Sequence, residues 1–112
     1  MDFRKRVPLE ERKNQSLKIL NKFTNSIPVY VDTSYMKLQL DKPKFVTPIE
    51  FTIGHLLNLI RNKLALDKNQ ALFMFINNKL MSVTTTLHSV YHSEKDEDGF
   101  LYVVCNVENT FG

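Results

Sequence analysis

The chain has 112 residues, of which 43% are apolar, a length and composition that predict one compact domain with a single core. Its one cysteine, Cys105, excludes an internal disulfide and suits a reducing compartment such as the cytosol, and no run approaches the roughly 20 apolar residues of a membrane-spanning helix. The net charge of +3 hides an asymmetry, since residues 1–63 carry twelve Lys and Arg against six Asp and Glu, and residues 64–112 carry three against six. A basic half suits acidic peptides, anionic membranes or nucleic acid, but the sequence lacks a zinc motif, a recognition helix and an aromatic platform, so nucleic acid is not expected.

The N-terminal third predicts a helix followed by a strand. Pro8 suits the first turn of a helix that runs to about Phe23, because acidic residues follow it near the positive end of the helix dipole. The helical period places four side chains on one face: Leu9, Ser16, Leu20 and Phe23. Ile19 lies well to one side of that stripe, so we expect it to be only partly covered. Residues 27–32, IPVYVD, are rich in β-branched and aromatic side chains and predict the first strand.

The middle of the chain predicts an edge strand and then a helix. The segment KPKFVTPIEF carries strand-forming residues, but its two prolines cannot donate ladder hydrogen bonds, so a strand at about 44–47 belongs at a sheet edge. Thr52 can cap a helix over about residues 53–64, whose apolar stripe consists of Ile53, Leu56, Leu57, Ile60 and Leu64. Leu59 points roughly 100° or more away from the centre of this stripe, so core packing explains it least.

The remaining segments complete a recognisable order of elements. ALFMFINN predicts a buried strand ending in a turn, residues 86–92 predict a short helix, and FLYVVCNV predicts the last strand. This order is that of an α+β protein with a β-grasp, or ubiquitin-like, fold. We therefore expect a four-stranded mixed sheet in one domain. It would carry an N-terminal helical extension over about 1–24, a core over 25–107 and a C-terminal tail over 108–112.

The sequence offers little for catalysis. Cys105 lies in a predicted strand, with no helix start beside it to lower its pKa, and is expected to be a packed thiol. His88 and His92 have the spacing that can hold a metal on one helix face, but the glutamate of an HExxH motif is missing, which favours ordinary surface histidines. The three glycines are far apart, so no phosphate-binding loop is predicted. No enzyme activity, metal or cofactor is expected.

Binding has better support. An edge strand at 44–47 would present free backbone groups with which an extended peptide can pair by strand addition. Ile19 and Leu59 are apolar residues left over beside it, and a basic rim that favours acidic peptides is offered by Lys42, Lys44 and Arg61. Alternatively, the prolines and lysines only protect the edge from aggregation. The pattern alone leaves both interpretations open.

Several segments together resemble a known family. IPVYVD, LDKPKFVTPIEFTIGHLLNLIRNKL, ALFMFINNKL, YHSEKDEDGFLYV and the ending ENTFG are similar to the GABARAP-like, autophagy-related ubiquitin-like modifiers. The similarity covers essentially the whole chain, beginning with PLEERKNQSLKILNKF, and the segments match in order and spacing.

The resemblance implies that Gly112 is the reacting residue. In this family an activating enzyme adenylates the terminal carboxylate with ATP and passes it as a thioester to a conjugating enzyme, which joins it to the amine of phosphatidylethanolamine. Phe111 matches the aromatic residue that the family's processing and delipidating cysteine protease recognises. The resemblance thus implies a cytoplasmic protein, monomeric in solution, that lies on the autophagosome membrane when lipidated.

The resemblance also implies binding of short aromatic-x-x-aliphatic motifs from cargo receptors and adaptors. Strand addition would use the backbone of Lys44 and Val46. The aromatic pocket would consist of Ile19, Pro28, Lys44, Val46 and Phe100. The aliphatic pocket would consist of Phe45, Pro48, Phe51, Leu56 and Leu59. Acidic residues of the motif would meet Lys42, Lys44 and Arg61.

Three positions depart from the family pattern and bear on motif preference. Gln15 stands where an acidic residue is common, Ser26 where arginine is frequent and Thr47 where valine is usual. A β-grasp adaptor that binds peptides without being conjugated is the alternative to a modifier, and a hydrolase that uses Cys105 ranks below both.

Overall fold

The computed structural model describes residues 2–36 and 38–109, so the expected conjugation residue Gly112 and Phe111 lie outside the described residues. Nine elements follow one another along the chain: α1 (Asp2–Arg6), α2 (Leu9–Lys22), β1 (Ser26–Asp32), β2 (Lys44–Pro48), α3 (Ile53–Leu64), β3 (Gln70–Ile76), β4 (Lys79–Leu80), α4 (Leu87–Glu94) and β5 (Leu101–Asn109). Within the described ranges no helix is both long enough and apolar enough to cross a membrane.

The sheet has five strands in the order β2-β1-β5-β3-β4, not the expected four. β1 runs parallel to β5, and the other neighbours are antiparallel. The additional strand, β4, pairs with the end of β3 across a tight turn whose two residues, Asn77 and Asn78, have φ of 50° and 65°. At two residues, Lys79–Leu80, it is too short to produce a period in the sequence. Strand β5 extends through Asn109. The first two residues of the expected tail, 108 and 109, therefore belong to the sheet.

Helix α3 begins and ends where the sequence predicts. The Thr52 hydroxyl accepts a hydrogen bond from the His55 backbone N–H (3.2 Å), and His55 Nδ1 accepts one from the Thr52 N–H (3.0 Å), which forms a reciprocal capping box. Its core face is fully buried through Ile53, Leu56 and Ile60. The capped helix therefore lies over the sheet in a fixed orientation.

The sheet has a hydrophobic cluster on each face. Leu101 and Val103 of β5 belong to the larger cluster, with α3 and α4, while Tyr102 between them belongs to a smaller one with Phe3 of α1. Alternation of side chains along a strand places these clusters on opposite faces. The N-terminal helices thus cover the face opposite α3.

Of the four residues in the predicted stripe, helix α2 buries one, Ser16, and it also buries Arg12, which the stripe did not include. Leu9 and Leu20 are half-buried, and Phe23 is 41% exposed. The stripe faces in the predicted direction, but the helix packs against the rest of the protein through two polar residues in its middle. Both of them contact Asp98 in the loop before β5.

The Asp98 carboxylate is buried and accepts hydrogen bonds from three groups. Arg12 Nη1 lies 2.7 Å from Oδ2, Tyr102 donates its hydroxyl to the same oxygen, and the Phe100 N–H donates to Oδ1 at 2.8 Å. Arg12 Nε also donates to the Val7 carbonyl oxygen at 2.9 Å. Burial, together with the hydrogen bond to Asp98, raises the pKa of Tyr102, so the phenol stays protonated as a donor. This network, which we call the Asp98 anchor, fastens α2 to the loop before β5.

Gly99 permits helix α2 to lie close to the loop before β5. The hydroxyl of Ser16 donates to the Asp98 carbonyl oxygen, and a Cβ atom at position 99 would lie only 2.5 Å from the same hydroxyl. Gly99 also has φ of +91°, a conformation that other residues adopt at a cost.

Arg12→Gln is expected to lower the free energy of unfolding by about 3–5 kcal/mol, because it leaves the Asp98 carboxylate buried without its charge partner. Lys13→Gln is the matched control. The Lys13 ammonium is half-exposed and 3.9 Å from Glu10, so its loss should cost less than about 1 kcal/mol. Urea denaturation followed by circular dichroism measures both changes, and equal losses would contradict the role given to Arg12.

Candidate functional site

The candidate site lies along β2, which occupies one edge of the sheet. Two backbone bonds fix its register against β1: the Val31 N–H donates to the Pro43 carbonyl oxygen, and the Ile49 N–H donates to the Asn25 carbonyl oxygen, both at 2.9 Å. In an antiparallel ladder, hydrogen-bonded pairs alternate with pairs that do not bond. These two bonds therefore determine the direction of every backbone group between them.

The alternation divides the backbone groups of β2 into two sets. Phe45 and Thr47 direct their N–H and C=O groups toward β1, whereas Lys44 and Val46 direct theirs toward the open side. These are the two residues that the family resemblance assigns to strand addition. Since β2 comes first in the strand order, no described strand covers this side.

A groove of about 530 Å³ runs between β2 and α3. Apolar and charged side chains both line it: Leu40, Phe45, Val46, Leu59, Asp41, Lys42, Lys44 and Lys63. Five of these residues were predicted as site residues, and the fold brings them together from three segments. Leu59, which core packing left unexplained, is half-buried at the margin of the core and contributes to this groove.

Arg61, which was predicted for the basic rim, is not among the described residues that line this groove. The guanidinium of Arg61 donates to the carbonyl oxygens of Asp67 (3.2 Å) and Gln70, which fastens the end of α3 to the start of β3. Lys63 lines the groove instead. Its signal in the sequence was its position one helical turn after Leu59, on the same face of α3.

The residues predicted for the aromatic pocket meet on the other side of β2. Pro28 lies directly opposite Val46 in the ladder and is buried, whereas Val46 is 41% exposed. Phe100 is fully buried, and half-buried Ile19 packs against the same small cluster. The cluster therefore provides an apolar floor beneath an exposed strand residue.

Phe3, which sequence reasoning did not select, is the centre of that floor. Its ring stacks on Tyr30 with centroids 5.0 Å apart and meets Phe100 edge-on at 5.5 Å. Lys44 Nζ lies 4.4 Å above the Phe3 ring and donates a hydrogen bond to Gln15 Oε1 at 2.9 Å. Lys44 thus bridges α1, α2 and β2 at the entrance to the predicted aromatic pocket.

The residues predicted for the aliphatic pocket divide between core and surface. Phe45 and Leu56 are buried, with exposed fractions of 9% and 0%. Phe51 and Leu59 are half-buried and pack at the margin of the larger cluster, and Pro48, at the end of β2, is also half-buried. The surface that a ligand can touch is therefore formed mainly by these last three residues.

Thr47 places a polar atom inside this side of the sheet. The residue is fully buried, and among the described residues its Oγ1 has no hydrogen-bond partner. A buried hydroxyl without a partner lowers stability. Thr47 is thus a departure from the family pattern with an energetic consequence.

Cys105 is a packed thiol. The side chain is fully buried, and burial, with a smaller contribution from the charge of Asp32, raises the pKa of Cys105 to about 12. A thiol with that pKa supplies little thiolate at neutral pH, and the thiolate is the nucleophile. The structure therefore offers no support for a hydrolase that uses Cys105.

Comparisons with known proteins identify the family and the fold. A family model described as "Autophagy protein Atg8 ubiquitin like" matches residues 11–112. "Autophagy-related protein 8" of Vanderwaltozyma polyspora is 38% identical over 112 residues, which is 98% of this chain and 95% of that protein. "Autophagy-related protein 8A" of Oryza sativa subsp. indica is 35% identical over 98% of this chain and 94% of its own. The crystal structure of Trypanosoma brucei ATG8 superposes with a TM-score of 0.92 at 27% identity, covering 100% of this chain and 98% of that one.

Thr47→Val is expected to raise the free energy of unfolding by about 1–2 kcal/mol, because valine has nearly the same shape and buries no polar atom. Val29→Thr, on the neighbouring strand, is the reciprocal control and should lower it, since Val29 is also fully buried. Urea denaturation compares them with the native chain. A loss of stability in Thr47→Val would mean that its hydroxyl is satisfied.

Proposed function

The chain belongs to the Atg8 family of ubiquitin-like autophagy proteins, and on this basis we propose that it is a modifier conjugated through Gly112 to phosphatidylethanolamine. On autophagosomal membranes it recruits cargo receptors and adaptors by binding aromatic-x-x-aliphatic motifs along β2. The observation that carries the binding part is the register of β2. It directs the backbone groups of Lys44 and Val46 to the open edge of the sheet.

Strand addition to β2 has a backbone component and a side-chain component. The outward N–H and C=O groups of Lys44 and Val46 pair with an extended peptide, whose alternate side chains then point to the two sides of the strand. On one side lies the cluster around Phe3 and Phe100, and on the other lies the groove beside Leu59. Two apolar side chains separated by two variable residues suit this arrangement.

Charge favours peptides with acidic residues. Lys42, Lys44 and Lys63 line the groove, whereas Asp41 is its one acidic lining residue. Opposite charges near a surface increase association rates and help to fix register, more at low than at high salt.

Lys44 must change its contacts when a motif arrives. In the free protein it makes one hydrogen bond to neutral Gln15 and one contact with the Phe3 ring. Each is worth about 1 kcal/mol at an exposed site, so an acidic residue of the motif can compete for the ammonium. Gln15 in place of the family's acidic residue weakens the hold on Lys44 and so makes this exchange easier.

The conjugation part rests on the family match, which extends to Gly112. The described part of β5 reaches Asn109, and Gly112 is three residues further along the sequence. The absence of a side chain on glycine allows that carboxylate into a narrow active site. The carboxylate displaces pyrophosphate from ATP to form an acyl-adenylate, and a thiol of the activating enzyme then displaces AMP to form a thioester. The acyl group passes to a thiol of the conjugating enzyme, and the lipid amine displaces that thiol to form the amide. All catalysis belongs to partner proteins, which include the processing and delipidating cysteine protease that recognises Phe111.

Val46→Pro is expected to weaken binding of an acidic aromatic-x-x-aliphatic peptide by about tenfold or more, because it removes one outward N–H while leaving every bond to β1 intact. Thr47→Pro is the matched control, since it removes a bond to β1 and should lower stability. Calorimetric titration measures affinity, and urea denaturation measures stability. Native affinity in a folded Val46→Pro protein would refute strand addition at this edge.

Removal of Gly112 is expected to abolish lipidation. The native chain and the shortened chain are incubated with the family's activating and conjugating enzymes, ATP and vesicles that contain phosphatidylethanolamine, and the lipid adduct is detected by its gel mobility. Only the native chain should form it, and only with ATP. Peptide binding without an adduct would favour the alternative, a β-grasp adaptor that is never conjugated.

A further inference from the structure

Helix α4 carries two histidines that the proposed function does not use. His88 and His92 are four residues apart, and both are exposed. Their rings contact each other edge-on, with centroids 4.5 Å apart and an interplanar angle of 83°. Residues at this spacing lie on the same helix face, one turn apart. Neither histidine lines the groove beside β2.

The backbone that carries the pair is well fixed. The hydroxyl of Thr86 accepts a hydrogen bond from the Ser89 N–H and caps α4. The N–H groups of Leu87 and His88 donate to the carbonyl oxygens of Phe51 (2.8 Å) and Ile49 (3.1 Å). The helix is thus tied to the segment after β2, so a ligand of both histidines finds them already on one ordered turn.

The charged side chains next to the two histidines along the chain contact other residues. The ammonium of Lys95 lies over the Tyr91 ring, 5.2 Å from its centroid. The Glu94 carboxylate pairs with Lys79 and accepts a hydrogen bond from the Asn77 amide. Among residues 2–36 and 38–109, no group of three or more His, Cys, Asp or Glu side chains comes together in a way that could hold a metal. A ligand here therefore meets two imidazoles and water.

We propose that His88 and His92 chelate one divalent transition-metal ion on the surface of α4. Metal–nitrogen bonds of about 2.1 Å require ring nitrogens about 3.0 Å apart at a square angle and about 3.4 Å apart at a tetrahedral one, distances that rings in contact reach by side-chain rotation. Imidazole ligands favour Cu²⁺, Ni²⁺ and Zn²⁺, whereas Mg²⁺ and Ca²⁺ prefer oxygen. The site thus takes a nitrogen-seeking ion with water in its remaining positions.

Calorimetric titration of NiCl₂ and ZnCl₂ into the untagged full chain tests this site. The native chain should bind one ion with a saturable heat, and MgCl₂ should give none. His88→Gln and His92→Gln should each weaken binding by about tenfold or more, because a single imidazole cannot chelate. A further variant exchanges two neighbours, His92→Ser with Ser93→His, so that composition is kept while the histidines move to a spacing of five. It should bind as weakly as the single variants.

A second measurement separates chelation from a change in folding. Unfolding midpoints without metal should agree among all variants, since both histidines are exposed, and NiCl₂ should raise the midpoint of the native chain alone. Absence of saturable binding to the native chain would overturn the proposal. Native affinity for the metal ion in either single variant or in the exchanged pair would also overturn it, because the ion would then bind elsewhere.

Discussion

The buried carboxylate of Asp98 is the constraint on which the rest of the molecule depends. It lies in the loop before β5, the central strand, and its charge is balanced by Arg12 from a helix more than eighty residues away in sequence. Burying this pair costs desolvation energy, which the hydrogen bonds from Tyr102 and Phe100 help to offset. The benefit of the ion pair is that it fixes the position of α2 over the sheet. With α2 fixed, the open edge of the sheet has apolar surface on both of its sides.

The sequence left open whether the edge strand β2 pairs with peptides or is only protected from aggregation, and the structure is compatible with both. Within β2 only Lys44 and Val46 direct an N–H group outward, because Pro48, at the next outward position, has none, and its carbonyl oxygen accepts a hydrogen bond from the Phe51 N–H. Such a short edge is a poor template for aggregation, as expected for a strand bounded by prolines. It remains long enough to pair with a peptide of a few residues. Protection from promiscuous pairing and the proposed peptide recognition therefore depend on the same arrangement.

Local chemistry was readable from the sequence, and features that depend on long-range packing were not. The helix Ile53–Leu64 was predicted with nearly its observed bounds because its cap and its period are local signals. Strand Lys79–Leu80 was missed since two residues define no period. Phe3 gave no signal because its burial depends on strands that come later in the chain. The hydrogen bonds of the Arg61 side chain depend on where β3 begins. The presence of Lys63 in the groove depends on how α3 packs beside β2. The elements that carry the proposed site could thus be predicted from the sequence, whereas the contacts between those elements could not.

Amide hydrogen exchange, residue by residue along β2, tests the central claim most directly. In the free protein the amides of Phe45 and Thr47 should exchange slowly, because they bond to β1, and those of Lys44 and Val46 should exchange rapidly. Addition of an acidic aromatic-x-x-aliphatic peptide should protect the second pair and leave the first unchanged. Slow exchange at Lys44 and Val46 in the free protein would contradict the register. Saturation with peptide and no new protection at either residue would contradict strand addition to this edge.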